Sequence, residues 1–165
     1  MFVSSTIALL VFEKMETFMK RYPVIYLLSF MLAAFTPSFA HHMAVVVNKA
    51  NPVENITSAH LAKITKSDTK TWANGKEIVL VLHKDSKGEM LTLRKLNNMT
   101  EADLKSRLGA HKDSVILVDS DADVLDTVDS TPGAIGLVEV RSVNGQVKVV
   151  KVDGKLPLEM GYLPD

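Results

Sequence analysis

The sharpest change in the hydrophobic pattern of this chain lies between residues 78 and 96. Ile78–Leu82 is a wholly apolar run, which is typical of a strand buried on both faces of a sheet. Beyond it, apolar residues recur at helical spacing, at Met90, Leu91, Leu93 and Leu96. The pattern therefore predicts a buried strand followed directly by an amphipathic helix.

The polar turn between this strand and this helix is the candidate binding site of the chain. It contains Lys84, Asp85, Ser86, Lys87 and Gly88. The first N–H groups of a helix have no partner within the helix, so they form a ready site for an anion. Glu89, however, follows Ser86 by three residues, which predicts a capping box whose carboxylate would use such N–H groups. Ordinary capping and anion binding both stay open for this turn.

The chain before this unit predicts one strand and one short helix. Met43–Val47 is apolar throughout and predicts a buried strand. Thr57 or Ser58 can cap a helix that continues to about Thr65. Trp72 is the only tryptophan, and its place beside a buried strand favours a role in the core over stacking on a ligand.

A similar arrangement follows the central helix. Thr100 predicts the cap of a further helix, which Gly109 would end. Val115–Val118 predicts a strand, and Asp119 or Ser120 can cap the helix after it.

The last part of the chain predicts two paired strands. Ala134–Val140 predicts one strand, and Val147–Val152 is expected to pair with it across the Asn144-Gly145 turn. Leu156–Asp165 is expected to be a loosely ordered tail. Strands and helices in alternation predict an α/β sandwich whose sheet is mostly parallel, with one antiparallel hairpin.

Composition and charge exclude several functions. With 19 basic and 19 acidic side chains, the chain has no long-range field to attract nucleic acid. It has no cysteine, so disulfides and thiolate metal sites are excluded. Neither a Gly-x-Ser-x-Gly elbow nor an oxyanion-hole motif accompanies Ser86 and His83, so we expect no enzyme activity and no cofactor.

Residues 1–40 are interpreted as a secretory signal peptide. Lys20 and Arg21 precede an apolar run, Val24–Phe35, and Ser38-Phe39-Ala40 supplies a cleavage site. This run is shorter than the about 20 residues that a transmembrane helix needs, so we expect no stable membrane anchor. Residues 1–18 are interpreted as an over-long gene start, and 41–165 as one exported, periplasmic domain.

The sequence contains two candidate metal sites. Asp119–Asp123 has the alternating carboxylates of a calcium loop, but Val124 and Ser130 replace the glycine and glutamate that such a loop needs, so helix capping is preferred. His41 at a new N-terminus could chelate copper together with the α-amine, and this stays an alternative. We expect no metal site elsewhere.

Several segments, in order, resemble the phosphate-type periplasmic substrate-binding proteins of ABC transporters. They are MAVVVNKANPV (43–53), ITSAHLAKI (56–64), TWANGKEIVLV (71–81) and STPGAIGLVEV (130–140). The resemblance implies an oxyanion ligand such as phosphate at the turn of residues 84–88, and an ABC transporter permease or another envelope protein as partner. It covers only one of the two lobes of such proteins.

The turn departs from the phosphate-cradling turn of the family, because the arginine and the threonine of that turn are missing here. Only Ser86 and Gly88 are kept near the helix start. Two functions are therefore expected: weak, non-catalytic oxyanion binding, or an interaction module that has lost its ligand.

Overall fold

The computed structural model describes residues 42–164 of the chain. The predicted leader and the copper-binding N-terminus at His41 lie outside the described residues, so both stay predictions.

Seven strands and four helices alternate along the described residues. The strands are β1 (Met43–Val47), β2 (Asn55–Ile56), β3 (Val79–His83), β4 (Val115–Val118), β5 (Ala134–Glu139), β6 (Lys148–Val149) and β7 (Lys151–Val152). The helices are α1 (Ser58–Thr65), α2 (Lys87–Asn97), α3 (Glu101–Ala110) and α4 (Asp121–Ser130). None of these helices is long and apolar enough to cross a membrane.

Five of the strands form the central sheet, in the order β4-β3-β5-β1-β6. β3 pairs in parallel with β4 and with β5, whereas β1 pairs antiparallel with β5 and with β6. Four of the five strands therefore run in one direction and only β1 runs in the other, so the predicted α/β fold with a mostly parallel sheet is confirmed.

The predicted hairpin across Asn144-Gly145 is wrong. β6 pairs with β1, and β7 pairs in parallel with β2 in a separate two-stranded sheet. Asn144 does form a local turn, in which its Oδ1 accepts a hydrogen bond from the N–H of Gln146 at 2.9 Å. β5 already has β3 on one side and β1 on the other, so neither of its edges is open to a third strand.

Helices cover both faces of the central sheet. Leu61 of α1, Leu93 of α2 and Leu104 of α3 belong to one apolar cluster, together with Val45 and Leu80 of the sheet. On the opposite face, α4 contributes Val124, Leu125 and Val128 to a second cluster with Val46, Val81 and Val138. This two-sided burial explains why the strands are apolar without alternation.

The predicted helix caps are confirmed at Thr57, Ser86, Thr100 and Ser120. Each side-chain oxygen accepts a hydrogen bond from the backbone N–H three residues later. Gly109, in contrast, does not end α3. The helix continues to Ala110, and the N–H of His111 then closes it on the carbonyl of Leu108.

Trp72 is a core residue, as predicted. Its side chain is 4% exposed, and its Nε1–H donates to the carbonyl of Gly133 at 2.9 Å.

The expectation of a loosely ordered tail is wrong. Tyr162 and Leu163 are buried in the core. The Tyr162 hydroxyl accepts from the N–H of Val45 at 3.0 Å and donates to the carbonyl of Val150 at 2.7 Å. Burial raises the pKa of Tyr162 to about 12, so this hydroxyl keeps its proton and both hydrogen bonds.

Candidate functional site

Three parallel strands end at the same edge of the central sheet. β3 ends at His83, β4 at Val118 and β5 at Glu139. Ligands of open α/β sheets bind outside the carboxyl ends of the strands. The turn of residues 84–88 begins at this edge.

The turn is held by backbone hydrogen bonds on both sides. The N–H of Lys84 donates to the carbonyl of Val118 at 3.1 Å, which extends the pairing of β3 with β4. The N–H of Ser86 donates to the carbonyl of His83 at 3.1 Å. Ser86 Oγ then accepts from the N–H of Glu89 at 3.2 Å and starts α2. The five candidate residues therefore lie at a strand-to-helix turn, as their pattern predicts.

Only one of the two hydrogen bonds of the predicted capping box forms. The Ser86 side chain accepts from the N–H of Glu89, but the Glu89 side chain does not return a bond to the start of the helix. Its Oε2 accepts from the N–H of His83 at 2.8 Å, at the end of β3, and not from the first turn of α2. The prediction that Glu89 would use the N–H groups that an anion needs is therefore wrong. Within the described part of the chain, no hydrogen-bond partner contacts the N–H groups of Lys87 and Gly88.

The Glu89 carboxyl is buried, with the residue 2% exposed. Burial raises its pKa well above the ordinary value; the His83 N–H lowers it, and the charge of Asp121 raises it further. Its Oε1 has no partner among residues 42–164. Burial therefore disfavours the charged form of this carboxyl.

Asp121 joins the ends of two strands through one carboxylate. Its Oδ1 lies 3.1 Å from His83 Nδ1, and its Oδ2 accepts from the N–H of Glu139 at 2.9 Å. Both side chains of the Asp121–His83 pair are largely buried, at 15% and 22% exposed. The first turn of α4 is thereby fixed to β3 and to β5.

Charged side chains of both signs surround the turn. Lys84 pairs with Asp119, which raises the pKa of the lysine through their hydrogen bond, and Arg141 pairs with Glu139. A cavity of about 400 Å³ opens beside the turn. It is lined by His83, Asp85, Ser86, Lys87, Gly88, Asp121, Glu139, Arg141 and Ser142. Three carboxylates beside two cations would weaken the binding of any anion here.

The structure adds residues that the pattern of the chain did not identify as part of the site. Asp121, Glu139 and Arg141 line this cavity, although the acidic run at Asp121 was interpreted only as a helix cap. Their positions in the sequence could have identified them as site residues, because each lies at or just beyond the carboxyl end of a predicted strand.

The metal alternatives can be compared with the described residues. In residues 42–164, no group of three or more histidine, aspartate or glutamate side chains could hold a metal ion. Ser120 and Asp123 form the cap of α4 instead of a calcium loop: Ser120 Oγ accepts from the N–H of Asp123 at 3.1 Å.

Comparison with protein families gives one match, to the model of the PBP superfamily domain, over residues 34–161. The chain belongs to the PBP superfamily. Comparison with curated protein sequences gives no significant match.

Solved structures similar to this PBP superfamily chain include a phosphate transport receptor, PstS and a phosphate-binding protein. An ABC-type phosphate transport receptor from Vibrio cholerae has a TM-score of 0.57 and 22% identity, covering 70% of this chain and 48% of its own. PstS from Borrelia burgdorferi has a TM-score of 0.58 and 19% identity, covering 70% and 49%. A phosphate-binding protein from Stenotrophomonas maltophilia has a TM-score of 0.55 and 16% identity, covering 71% and 40%. This chain spans about half the length of the structures that it matches.

Two of the segments in which the chain resembles substrate-binding proteins have structural roles here. In the segment Pro-Gly-Ala-Ile-Gly, a Cβ on Gly133 would lie 1.9 Å from the carbonyl oxygen of Glu77. A Cβ on Gly136 would lie 2.7 Å from Val124 Cγ1 and 3.2 Å from the Val81 carbonyl oxygen. Both glycines are required because neighbouring elements approach the backbone closely.

The end of β1 has a similar structural role. Asn48 Nδ2–H donates to the carbonyls of Val128 and Asp129, at 3.0 and 2.6 Å, near the C-terminus of α4. Its Oδ1 accepts from the N–H of Ala50. These motifs build the scaffold that holds the turn of residues 84–88, and they do not line the cavity beside it.

Proposed function

We propose that this chain is an exported, non-catalytic solute-binding protein that binds a small oxyanion such as phosphate weakly. The site is the turn of Lys84–Gly88 at the start of α2. Two of the similar structures named above are a phosphate transport receptor and a phosphate-binding protein, which supports phosphate as the first ligand to test.

One observation carries this proposal. Because the Glu89 carboxyl bonds to the N–H of His83, the N–H groups of Lys87 and Gly88 are left for a ligand at the positive end of α2. The side chain of Lys87 is exposed and has no ion-pair partner among the described residues. It adds a cation at the same end of the helix.

Weak affinity is expected for two reasons. The carboxylates of Asp85, Asp121 and Glu139 line the same cavity and repel an anion. The described residues also form only one wall of a cleft, so they do not exclude water from the turn. A dissociation constant of about 1 mM corresponds to only about −4 kcal/mol of binding free energy.

Calorimetric titration with phosphate, sulfate and molybdate tests the proposal. At about ten times the dissociation constant, a bound anion adds about 1.4 kcal/mol to the free energy of unfolding, so the melting temperature should rise by a few degrees. Absence of both heat and melting shift at millimolar anion would contradict the proposal.

Two variants of Lys87 separate the backbone from the side chain. Lys87→Pro removes the N–H at the first helical position, where proline is tolerated, and Ser86 has the extended φ and ψ of −72° and 109° that suit a residue before proline. Lys87→Ala is the matched control, because it removes the same charge and keeps the N–H. We expect Lys87→Pro to abolish the anion effect and Lys87→Ala to weaken it by a few-fold. Equal binding by both variants would place the anion elsewhere.

Export is part of the proposal. A cleavable leader predicts that the periplasmic form begins at His41. Mass spectrometry of the protein from a periplasmic extract checks this, and an N-terminus at Met1 or Met19 would contradict cleavage. The same spectrum decides whether His41 is available for the copper site.

A second candidate function is an interaction module that has kept the fold and lost the ligand. It is favoured by three large apolar side chains that protrude near the C-terminus: Leu156 is 50% exposed, Leu158 71% and Met160 94%. A transporter permease or another envelope protein is the expected partner. Photo-crosslinking from position 158 in cells should give a discrete adduct, while the same crosslinker at exposed Lys76 should not. A chain without adducts that stays monomeric would count against this function.

A further inference from the structure

A groove between α2, α3 and the edge strand β4 has walls that are almost wholly apolar. Its volume is about 470 Å³, within the usual range for small-molecule sites. The apolar lining residues are Leu82, Met90, Leu93, Leu108, Val115 and Leu117. Leu117 is 58% exposed although it belongs to a strand, so part of this wall meets water. An exposed apolar wall beside a cavity points to a ligand with an apolar body.

The mouth of the groove is basic. Lys84, Lys105 and Lys112 line it from three different segments. Lys84 and Lys105 have exposed carboxylate partners, Asp119 and Glu101, and such pairs hold a lysine only weakly. Lys112 has no ion-pair partner in residues 42–164.

The groove has one acidic residue in its lining, and that residue is buried. Glu89 is the sole acidic residue among the lining side chains, and it is 2% exposed. Burial also raises its pKa above the ordinary value, so the charged form is disfavoured there. The groove therefore combines an apolar body with a cationic mouth.

We propose that this groove binds a free single-chain amphiphile with an anionic head group, of the medium-chain fatty acid type. The alkyl chain lies against Leu93, Leu108 and Leu117, and the carboxylate lies among Lys105 and Lys112. Lys84 borders both this groove and the oxyanion site, but the amphiphile proposal uses neither the N–H groups of α2 nor the side chain of Lys87, so it can hold or fail separately.

A peptide strand on the edge of β4 is the competing occupant. The carbonyls of Ser114 and Val118 accept hydrogen bonds from β3 and its extension. The N–H and C=O groups of Val115 and Leu117 therefore point away from β3, toward the open edge of the sheet. A second copy paired antiparallel about Ile116 would place Asp113 opposite Asp119, which like charge opposes. The charges thus disfavour self-pairing, whereas the lysines at the mouth favour an anionic head group.

Calorimetric titration of the whole chain with octanoate, decanoate and dodecanoate, each below its micelle concentration, tests the proposal. Each pair of added methylenes should tighten binding about tenfold while the groove accommodates them. Decanol, which lacks the charge, should bind at least tenfold more weakly than decanoate.

Groove variants and matched controls locate the site. Leu117→Asp should weaken decanoate binding at least tenfold, and Lys112→Glu several-fold. Leu91→Asp changes a similarly exposed leucine, at 47%, outside the groove, and Lys76→Glu changes an exposed lysine in a distant loop. Both controls should leave binding unchanged, and melting curves should show that all four variants fold.

Several results would overturn the proposal. They are no heat with any of the acids, equal loss in Leu91→Asp, or equal binding of decanol. Tight binding of an apolar decapeptide that decanoate does not displace would assign the groove to a peptide. Flotation with phosphatidylglycerol vesicles without binding of monomeric acid would assign it to a membrane surface. Phosphate titration of Leu117→Asp should match that of the unaltered chain, so failure of one site is distinguishable from failure of the other.

Discussion

At the scale of single residues, Glu89 couples the stability of the chain to pH. Its folded-state pKa is raised above the ordinary value of 4.5, chiefly by burial. The stabilising contribution of this group is therefore complete below pH 4.5 and is lost as pH rises through the folded-state pKa, because a buried carboxylate must then form.

Glu89→Gln should remove this dependence. Glutamine keeps an oxygen that can accept from the N–H of His83, but it does not ionise. We expect the free energy of unfolding of Glu89→Gln, relative to the unaltered chain, to increase as pH rises from 5 to 9. Urea denaturation across this range measures it, with exposed Glu54→Gln as the control. Parallel pH profiles for Glu89→Gln and the unaltered chain would contradict the raised pKa.

Tyr162 is a second residue whose role depends on one polar group. Tyr162→Phe keeps the ring in the core but leaves the N–H of Val45 and the carbonyl of Val150 without this partner. Leaving buried polar groups unsatisfied costs about 1–3 kcal/mol, so we expect a melting temperature lower by roughly 3 °C or more. An unchanged melting temperature would show that the C-terminal segment contributes little to the core.

At the scale of elements, two glycines in regular structure are expected to respond oppositely to alanine. Gly136 of β5 lies against α4 and the Val81 carbonyl, so Gly136→Ala should destabilise the chain by about 1–3 kcal/mol through overpacking. Gly109 lies inside α3 with nothing within 4 Å of an added Cβ, so Gly109→Ala should stabilise by about 0.5–1 kcal/mol. Urea denaturation of both variants checks the signs, and a stabilising Gly136→Ala would refute the close packing of α4 on β5.

The elements that could be predicted from the sequence are those defined by local signals. The four caps depend on a hydrogen bond between residues three apart, and the apolar runs mark the strands directly. The pairing of β6 with β1 and the burial of Tyr162 depend on contacts over about a hundred residues. Nothing in the local pattern of Val147–Val152 or Leu156–Asp165 indicates those partners.

In the candidate site, too, the features that depend on local sequence were predictable and those that depend on distant contacts were not. The position of the turn was predictable, because the change of period from strand to helix occurs within a few residues. The direction of the Glu89 carboxyl was not, since it depends on the N–H that the end of β3 presents. The contact of Asp121 with His83 joins residues 38 apart along the chain, so no short motif could reveal it.

At the scale of the whole molecule, the turn of residues 84–88 lies on one wall without a facing lobe in the described residues. Its geometry depends on strand ends from β3, β4 and β5, which are held by Asp121 and by backbone pairing. Such a wall can be preorganised, which reduces the entropic cost of binding a ligand. It can still bind weakly, because solvent access reduces the strength of each hydrogen bond to that ligand.

The most direct measurement of the oxyanion site is the titration of ¹⁵N-labelled protein with phosphate, followed through its amide resonances. We expect saturable shifts of the Lys87 and Gly88 amides at millimolar phosphate, and little change in the His83 amide, because the N–H of His83 bonds to Glu89. Equal concentrations of chloride should not reproduce these shifts. Unchanged Lys87 and Gly88 amides, or saturable shifts confined to another part of the chain, would contradict the proposed binding site.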